Sequence, residues 1–143
     1  EGSGEYVNDF VTTKVMTPHK KPMSWSQVID LHNRGFIIGN HTLDHLRLSE
    51  LPLSAAEEQI NSSKEIIEMY IGEKCYYFAW PYGQFSDFNS SLLDKVIQCH
   101  QYVFSGCNYR EYYSFRGAVF NRRHFEACWR FSMLKYFLTF KRQ

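Results

Sequence analysis

Two histidines spaced i,i+4 are the first residues whose types and spacing could do chemistry. His41 and His45 directly follow the apolar segment 36–40. On a helical turn this spacing places both imidazoles on one side, where they could share a single metal ion. Histidine pairs of this kind also occur as ordinary surface or core residues, and that alternative stays open. The pair predicts a candidate metal site.

The segments around the histidines alternate between helical and strand-like patterns. Ser24 is a favourable N-cap for a helix that Gly35 ends, and a capping box at 54–57 predicts a longer helix that ends at Gly72. The remaining patterns predict a β-like run at 10–13, buried strands at 36–40 and 76–80, a helix at 90–100, strands at 102–105 and 113–120, and a final helix at 122–140.

The order of these elements predicts an α/β fold with parallel strands. Helices alternate with strands over short connections, and no linker divides residues 1–143 into separate domains. Catalytic groups in such folds gather where parallel strands end. The histidine pair follows one strand, and the turn Trp80-Pro81-Tyr82-Gly83 follows the next. We therefore expect the pair and the turn at the same rim of the sheet.

Composition excludes several classes of protein. The chain has 143 residues, of which 44% are hydrophobic and 22% charged, which argues against disorder. No apolar run is long enough to cross a bilayer. The four cysteines show no CxxC spacing and are interpreted as reduced thiols rather than a disulfide framework.

The C-terminal third is basic, because Lys and Arg outnumber acids from Arg110 onward. Arg116, Arg122 and Arg123 could contact an acidic polysaccharide or form a solvated rim. An aromatic stripe at helical spacing in the last helix is expected to pack against the rest of the fold, although contact with a membrane surface stays open. The stripe consists of Phe125, Trp129, Met133, Tyr136, Phe137 and Phe140.

Two motifs in order resemble the polysaccharide deacetylases, the NodB-like carbohydrate esterase family 4. The stretch Gly35-Phe36-Ile37-Ile38-Gly39-Asn40-His41-Thr42-Leu43-Asp44-His45 resembles the family element in which a His-Ser/Thr-x-x-His sequence supplies two metal ligands. A helix then leads to a strand and a Pro-aromatic-Gly turn, as residues 78–83 do here. The resemblance covers about residues 10–105 and implies a distorted or incomplete (β/α) barrel.

The resemblance also implies roles for individual residues. His41 and His45 would bind a divalent metal, most simply Zn²⁺, and Thr42 would fix their loop. Tyr82 would offer its backbone N–H to the oxyanion of the tetrahedral intermediate. Substrate binding would fall to the turn as a whole, with the rings of Trp80 and Tyr82 walling a sugar pocket beside Pro81 and Gly83. The implied activity is metal-dependent removal of acetyl groups from N-acetylated sugars of a polysaccharide.

The family element that supplies the general base has no counterpart in this sequence. That element is a strand ending in two adjacent Asp residues, and no Asp-Asp pair occurs here. We expect the pair to lie upstream of Glu1, or to have been lost, which leaves this chain without its general base. Ala79 stands where the family commonly has Arg, and no Leu-x-His sequence follows to supply the usual general acid. His100 and His124 are expected to be structural.

Two rival functions remain beside the deacetylase. One is an inactive relative that binds a glycan or a partner protein, and the other is a basic module for nucleic acid or a membrane surface. The deacetylase interpretation predicts an N-acetylated polysaccharide or oligosaccharide as partner, no nucleic acid, and self-association through exposed sheet edges. The first residues carry no signal-peptide pattern, which favours the cytoplasm slightly. A segment before Glu1 would allow the bacterial envelope side.

Overall fold

The structure is a computed structural model that describes residues 22–123, 129–139 and 141. Its α-helices are α1 (Trp25–Asn33), α2 (Leu53–Ile71), α3 (Ser90–Cys99) and α4 (Phe131–Thr139). Its strands are β1 (Tyr77–Ala79), β2 (Tyr102–Ser105), β3 (Tyr113–Ser114) and β4 (Val119–Asn121). Short 3-10 turns occupy Leu48–Glu50, Phe85–Asp87 and Phe115–Gly117.

The strands form one four-stranded sheet in the order β1-β2-β4-β3. β1 pairs with β2 and β2 with β4 in parallel, whereas β3 runs antiparallel to β4. Asn40 adds a single parallel bridge to Phe78 at the free side of β1. The predicted α/β class with mostly parallel strands is confirmed. Within the described residues the sheet stays open and does not close into a full barrel.

One face of the sheet carries the core. Phe78, Val103 and Val119 are at most 1% exposed and alternate with residues on the opposite face, as the two-residue period of a strand requires. They join buried residues of α2 and α3 in one cluster, namely Ala56, Ile60, Leu92, Leu93 and Val96. The opposite face carries a half-buried row of rings in contact, from Tyr77, Tyr102, Phe104 and Phe120.

Two of the predicted helix ends are confirmed and one is wrong. Ser24 caps α1 in a capping box with Gln27, and Gly72 ends α2 in the left-handed conformation, both as predicted. The predicted capping box at 54–57 is wrong, because α2 begins earlier, at Leu53, with Pro52 in the N-cap position. Proline has a backbone φ that suits a helix start and no N–H to satisfy there. Ser54 therefore lies inside the helix.

The predicted buried strand at 36–40 is also wrong. Phe36 and Ile37 are 59% and 68% exposed, and only Asn40 makes a ladder contact. Among the described residues, this segment has a strand, β1, on one side only. The apolar run therefore lies at the edge of the sheet, whereas a second neighbouring strand would bury it. The predicted strand at 113–120 forms as β3 and β4, separated by a turn in which Arg116 has a φ of 56°.

The C-terminal prediction needs a further correction. The helix expected from residue 122 begins only at Phe131, and Arg122 and Arg123 lie outside it. Met133 and Tyr136 are 44% and 51% exposed, so these members of the stripe are not buried in the core of the described residues. No helix among the described residues is both long and apolar enough to cross a membrane.

Other predictions at the ends of the chain cannot be placed. The run at 10–13 and the residues His124, Phe125, Cys128 and Phe140 lie outside the described residues. Within them, Cys75, Cys99 and Cys107 are free thiols, as expected.

Candidate functional site

The histidine pair stands on a loop that a buried asparagine anchors. Asn40 is 1% exposed and donates from Nδ2 to the Ile60 carbonyl at 2.8 Å. The same Nδ2 lies 3.2 Å from Nε2 of His100, which is itself buried. The Asn40 Oδ1 accepts the Thr42 N–H at 2.9 Å. Asn40 and His100 thus position the start of the loop, which agrees with the structural role expected for His100.

Thr42 closes the turn that carries both histidines. Its Oγ1 accepts the backbone N–H of His45 at 3.1 Å, which gives Thr42 the loop-fixing role that was expected. Thr42 and His45 have φ values of 69° and 56°, a left-handed conformation that costs non-glycine residues free energy. Strained backbone of this kind clusters at functional sites, where the surrounding structure maintains it.

The two imidazoles lie edge to face, with ring centroids 4.7 Å apart. Nδ1 of His41 is 2.6 Å from the Ala79 carbonyl oxygen, so we assign the ring proton to Nδ1 as the donor. Nε2 is then the basic nitrogen, the usual arrangement for a histidine that ligates a metal. Desolvation by burial lowers the pKa of both rings, and for His45 the neighbouring His41 lowers it further. Both rings are therefore neutral near pH 7, the form that coordinates metal.

Asp44 lies in the same loop but is engaged elsewhere. Its carboxylate accepts a hydrogen bond from Nε2 of Gln59 at 2.9 Å, while its backbone N–H donates to Oε1 of Gln59 at the same distance. These contacts clamp the loop to α2.

The second element of the site is the turn after β1. Gly83 N–H donates to the Pro81 carbonyl at 2.6 Å across Tyr82, whose φ is 60°. This is a γ-turn of the rare form with positive φ, which is strained. The Tyr82 ring is 39% exposed and its centroid lies 5.0 Å from that of His45. The expected meeting of the turn and the histidine pair at one rim is therefore observed.

An arginine that sequence reasoning missed joins the two loops. The Arg47 guanidinium stacks on the Tyr82 ring, 4.2 Å from its centroid. It also forms a salt bridge with Asp87, which is 1% exposed, and a longer one with Glu50. A buried carboxylate needs such a partner because desolvation otherwise disfavours its charge. No local pattern pointed to the contacts of Arg47 with Tyr82 and Asp87, since both residues belong to a later loop.

Trp80 does not take the place that the resemblance implied. It is 0% exposed, stacks on Phe88 at 4.2 Å between ring centroids, and donates its indole N–H to the Asp87 carbonyl. The expectation that its ring walls a sugar pocket is wrong, because the ring points into the core beside Phe78. Pro81 and Gly83 are buried as well, so Tyr82 alone presents its side chain at the surface of this turn.

At the candidate site, the histidine pair supplies the side chains that could bind a metal. No group of three or more His, Cys, Asp or Glu side chains that could hold a metal occurs among the described residues. The donor set fits a divalent ion in kind, because His41 and His45 are neutral imidazoles in contact. It supplies fewer protein ligands than the three usual at catalytic zinc.

Comparison with a family model shows to which protein family the chain is related. Residues 7–100 match the model of the polysaccharide deacetylases, a stretch that includes the histidine loop and the Tyr82 turn. The chain belongs to the polysaccharide deacetylase family. This family consists generally of metal-dependent hydrolases that act on N-acetylated polysaccharides. No curated protein matches the chain significantly.

Two solved structures share the fold. A polysaccharide deacetylase from Bacillus cereus is 18% identical with a TM-score of 0.57, over 81% of this chain and 34% of its own length. A Bacillus anthracis protein described as a polysaccharide deacetylase is 16% identical with a TM-score of 0.58, over 73% of this chain and 33% of its own. The chain thus spans about a third of each neighbour. Family and fold together support a polysaccharide deacetylase-like function.

The close approach of backbone at the Tyr82 turn predicts a stability effect. A Cβ on Gly83 would lie 2.8 Å from the Gly106 backbone nitrogen, and φ there is +69°. Gly72 has a nearly equal φ of +73° but open space around it. We expect Gly72→Ala to lower the free energy of unfolding by about 1 kcal/mol from backbone strain alone. Gly83→Ala should cost about 1–3 kcal/mol more, because backbone must also move.

Urea denaturation followed by tryptophan fluorescence measures both values. Gly72→Ala is the matched control for φ, so the difference between the variants reports the contact with Gly106. Equal losses in the two variants would contradict a tight approach of the Tyr82 turn to the end of β2.

Proposed function

We propose that this chain is part of a metal-dependent carbohydrate N-deacetylase, which hydrolyses the acetyl amide of N-acetylated sugars in a polysaccharide. The observation that carries the proposal is the histidine pair, with ring centroids 4.7 Å apart and Nδ1 of His41 directed to the Ala79 carbonyl. Two neutral imidazoles at the rim of a parallel sheet, beside an exposed aromatic ring, suit an ion and a sugar together. The family match supports the same chemistry.

His41 and His45 are proposed to hold the metal, with Zn²⁺ as the simplest candidate for nitrogen ligands. A bound divalent ion supplies a Lewis acid for the amide carbonyl and lowers the pKa of water. The Ala79 carbonyl fixes the His41 ring, and the Thr42 hydroxyl fixes the backbone of His45. A further ligand and the general base are proposed to come from outside the described residues.

Tyr82 is proposed to serve the substrate in two ways. Its backbone N–H makes no backbone hydrogen bond within the described residues, so it is suited to donate to the oxyanion. A donor of this kind contributes about 2.7–4 kcal/mol to acyl transfer. Its exposed ring, held by Arg47, offers a face for the apolar side of a pyranose. Pro81 and Gly83 shape the strained turn rather than contact the sugar.

An acetate-release assay on N-acetylglucosamine oligomers tests the function. We expect the longest encoded form of the protein to release acetate only with metal present, and His41→Ala to abolish the release. The 143-residue chain alone is expected to be inactive, since general-base catalysis typically contributes 10²–10⁴-fold and its described residues place no carboxylate in a metal-binding group. Metal-dependent release by the short chain would require a base that the sequence did not reveal.

An inactive glycan-binding relative is the second candidate, favoured by the lack of a third metal-binding side chain beside the histidine pair among the described residues. The same assay separates the two functions when binding is measured alongside. Oligomer binding without acetate release by the longest form would support the inactive relative. Release that depends on both metal and His41 would exclude it.

Metal affinity should depend on pH in a window set by the two histidines. Their folded pKa values lie below the ordinary 6.5, so both rings are neutral above that pH. Protons compete with metal only once the pH falls through the lowered values. We expect cobalt affinity, measured by visible absorption, to stay level from pH 8 to 6.5 and to fall steeply below. A decline that is already complete between pH 8 and 7 would contradict this assignment.

A further inference from the structure

A third histidine is buried behind the loop that carries the histidine pair. His100 directly follows α3 and is 2% exposed, and its Nε2 lies 3.2 Å from Nδ2 of Asn40. Asn40 is 1% exposed and directly precedes His41. A side-chain amide at this depth must satisfy both of its ends, because a buried polar atom without a partner costs free energy. The contacts of Asn40 therefore decide which way its amide faces.

The hydrogen bonds around His100 assign its tautomer. Nδ1 of His100 lies 3.3 Å from the Val96 carbonyl oxygen, which can only accept, so Nδ1 carries the ring proton. Desolvation by burial lowers the pKa of His100, so the ring is neutral near pH 7. Nε2 of such a ring is an acceptor, and the atom of Asn40 that faces it must be the donor Nδ2.

The other contacts of Asn40 require the same direction of the amide. Nδ2 also donates to the Ile60 carbonyl at 2.8 Å, and Oδ1 accepts the Thr42 N–H at 2.9 Å. With the amide rotated by half a turn, Oδ1 would face the Ile60 carbonyl and the acceptor nitrogen of His100. Nδ2 would then face the Thr42 N–H, so donor would meet donor and acceptor would meet acceptor. His100 and Ile60 thus lock the amide in the direction that serves Thr42.

The locked amide supports both histidines of the pair through Thr42. The Thr42 hydroxyl accepts the His45 N–H at 3.1 Å, and these two residues have φ values of 69° and 56°. Strained backbone of this kind persists only where the surrounding structure maintains it. The backbone of Asn40 already pairs with β1. Its side chain is therefore the part that links His100 to the strained turn.

We propose that His100 is a positioning residue for the two proposed metal ligands. Its Nε2 locks the Asn40 amide, and that amide holds the strained turn from which His41 and His45 project. The proposal rests on the proposed function, because it concerns the metal site of that function. Partners of the ligands often contribute about 10–100-fold to metal affinity. His100 stands one contact further away, so we expect an effect of about tenfold, the lower end of that range.

Zinc affinity, measured by competition with a chromogenic chelator at pH 7.5, tests the role of the acceptor nitrogen. His100→Leu removes the acceptor and keeps an apolar side chain, and it should weaken zinc binding about tenfold. His100→Gln can place Oε1 near the position of Nε2 and should keep most of the affinity. Val119→Ala is the control for a general loss of stability, because Val119 is fully buried on β4, which β2 separates from β1. This control should bind zinc as the parent does, and thermal unfolding ranks the stability of all variants.

A double variant shows whether His100 acts through Asn40. Asn40→Ala should weaken zinc binding at least as much as His100→Leu does. The double variant should lose no more than Asn40→Ala alone, because the two residues form one chain of contacts. Losses that add in the double variant overturn the proposal. Parent-like affinity of His100→Leu, or equal losses in the Leu and Gln variants, does so too.

Two measurements on the metal-free chain separate this proposal from the proposed function. Ring nitrogen chemical shifts should show the Nδ1–H tautomer of His100. The Thr42 amide proton should exchange faster with solvent in His100→Leu than in His100→Gln or Val119→Ala. An Nε2–H tautomer, or Thr42 exchange unchanged in His100→Leu, overturns the positioning role even if the histidine variants would unfold or the chain bound no zinc.

The two failures have different signatures. Zinc binding that depends on His41 and His45 but not on His100 rejects the positioning role and leaves the proposed function standing. A parent chain that binds no zinc rejects the metal site of the proposed function. The expected tautomer and Thr42 exchange in that chain would still support the lock of His100 on the Asn40 amide.

Discussion

Replacing His41 with alanine is expected to weaken zinc binding by about 100-fold. Structural zinc sites with four ligands are worth about 10–16 kcal/mol, so each ligand contributes roughly 3 kcal/mol. His41 has its Nδ1 directed to the Ala79 carbonyl, its Nε2 is the nitrogen proposed to coordinate the metal, and His45 lies in ring contact with it. Competition with a chromogenic chelator at pH 7.5 measures the loss. His45→Ala should lose affinity to a similar degree.

His32→Ala is the matched control for the loss of an imidazole. His32 lies in α1, and its Nε2 is 3.6 Å from a carboxylate oxygen of Glu73. This variant should bind zinc as the parent does. Parent-like affinity in both His41→Ala and His45→Ala would show that the pair is structural.

The second large effect is a loss of stability when Trp80 is replaced. The family resemblance placed the ring of this residue in the wall of a sugar pocket. Trp80→Ala is expected to lower the free energy of unfolding by about 3–5 kcal/mol, the usual cost of emptying a large aromatic site. Trp80 is 0% exposed and stacks on Phe88, and its indole N–H satisfies the Asp87 carbonyl. Urea denaturation followed by circular dichroism measures the change. Trp80→Phe provides a milder variant, which should cost about 1–3 kcal/mol for the unsatisfied carbonyl.

Tyr82→Ala is the surface counterpart of Trp80→Ala, and the two variants compare an exposed ring of the turn with a buried one. Tyr82 is 39% exposed and its ring contacts Arg47 and His45, so its removal should cost about 1 kcal/mol or less. We expect this variant to lose glycan affinity while it keeps its fold. If Tyr82→Ala unfolded the chain and Trp80→Ala did not, the assignment of the two aromatic rings would be reversed.

The sequence alone determined the features that depend on local patterns. Ser24 and Gly72 marked a helix start and a helix end because capping is a matter of a few neighbouring residues. The order of helices and strands, with the motifs at 41–45 and 80–83, indicated the fold class and the family. Spacing also predicted that the histidine pair and the turn would share one rim, because parallel strands end on the same side.

Only the tertiary structure decided which side chains reach that rim. Trp80 and Tyr82 are both aromatic residues of one short turn, but the backbone after β1 directs one ring into the core and the other to the surface. Arg47 with Asp87 and Asn40 with His100 are distant in sequence, and no local period links them. The sequence does not distinguish Arg122 from the other basic residues. Its place at the end of β4, next to β2, depends on the pairing of these two strands. Local patterns specify elements, whereas burial and contact between distant residues depend on how those elements pack.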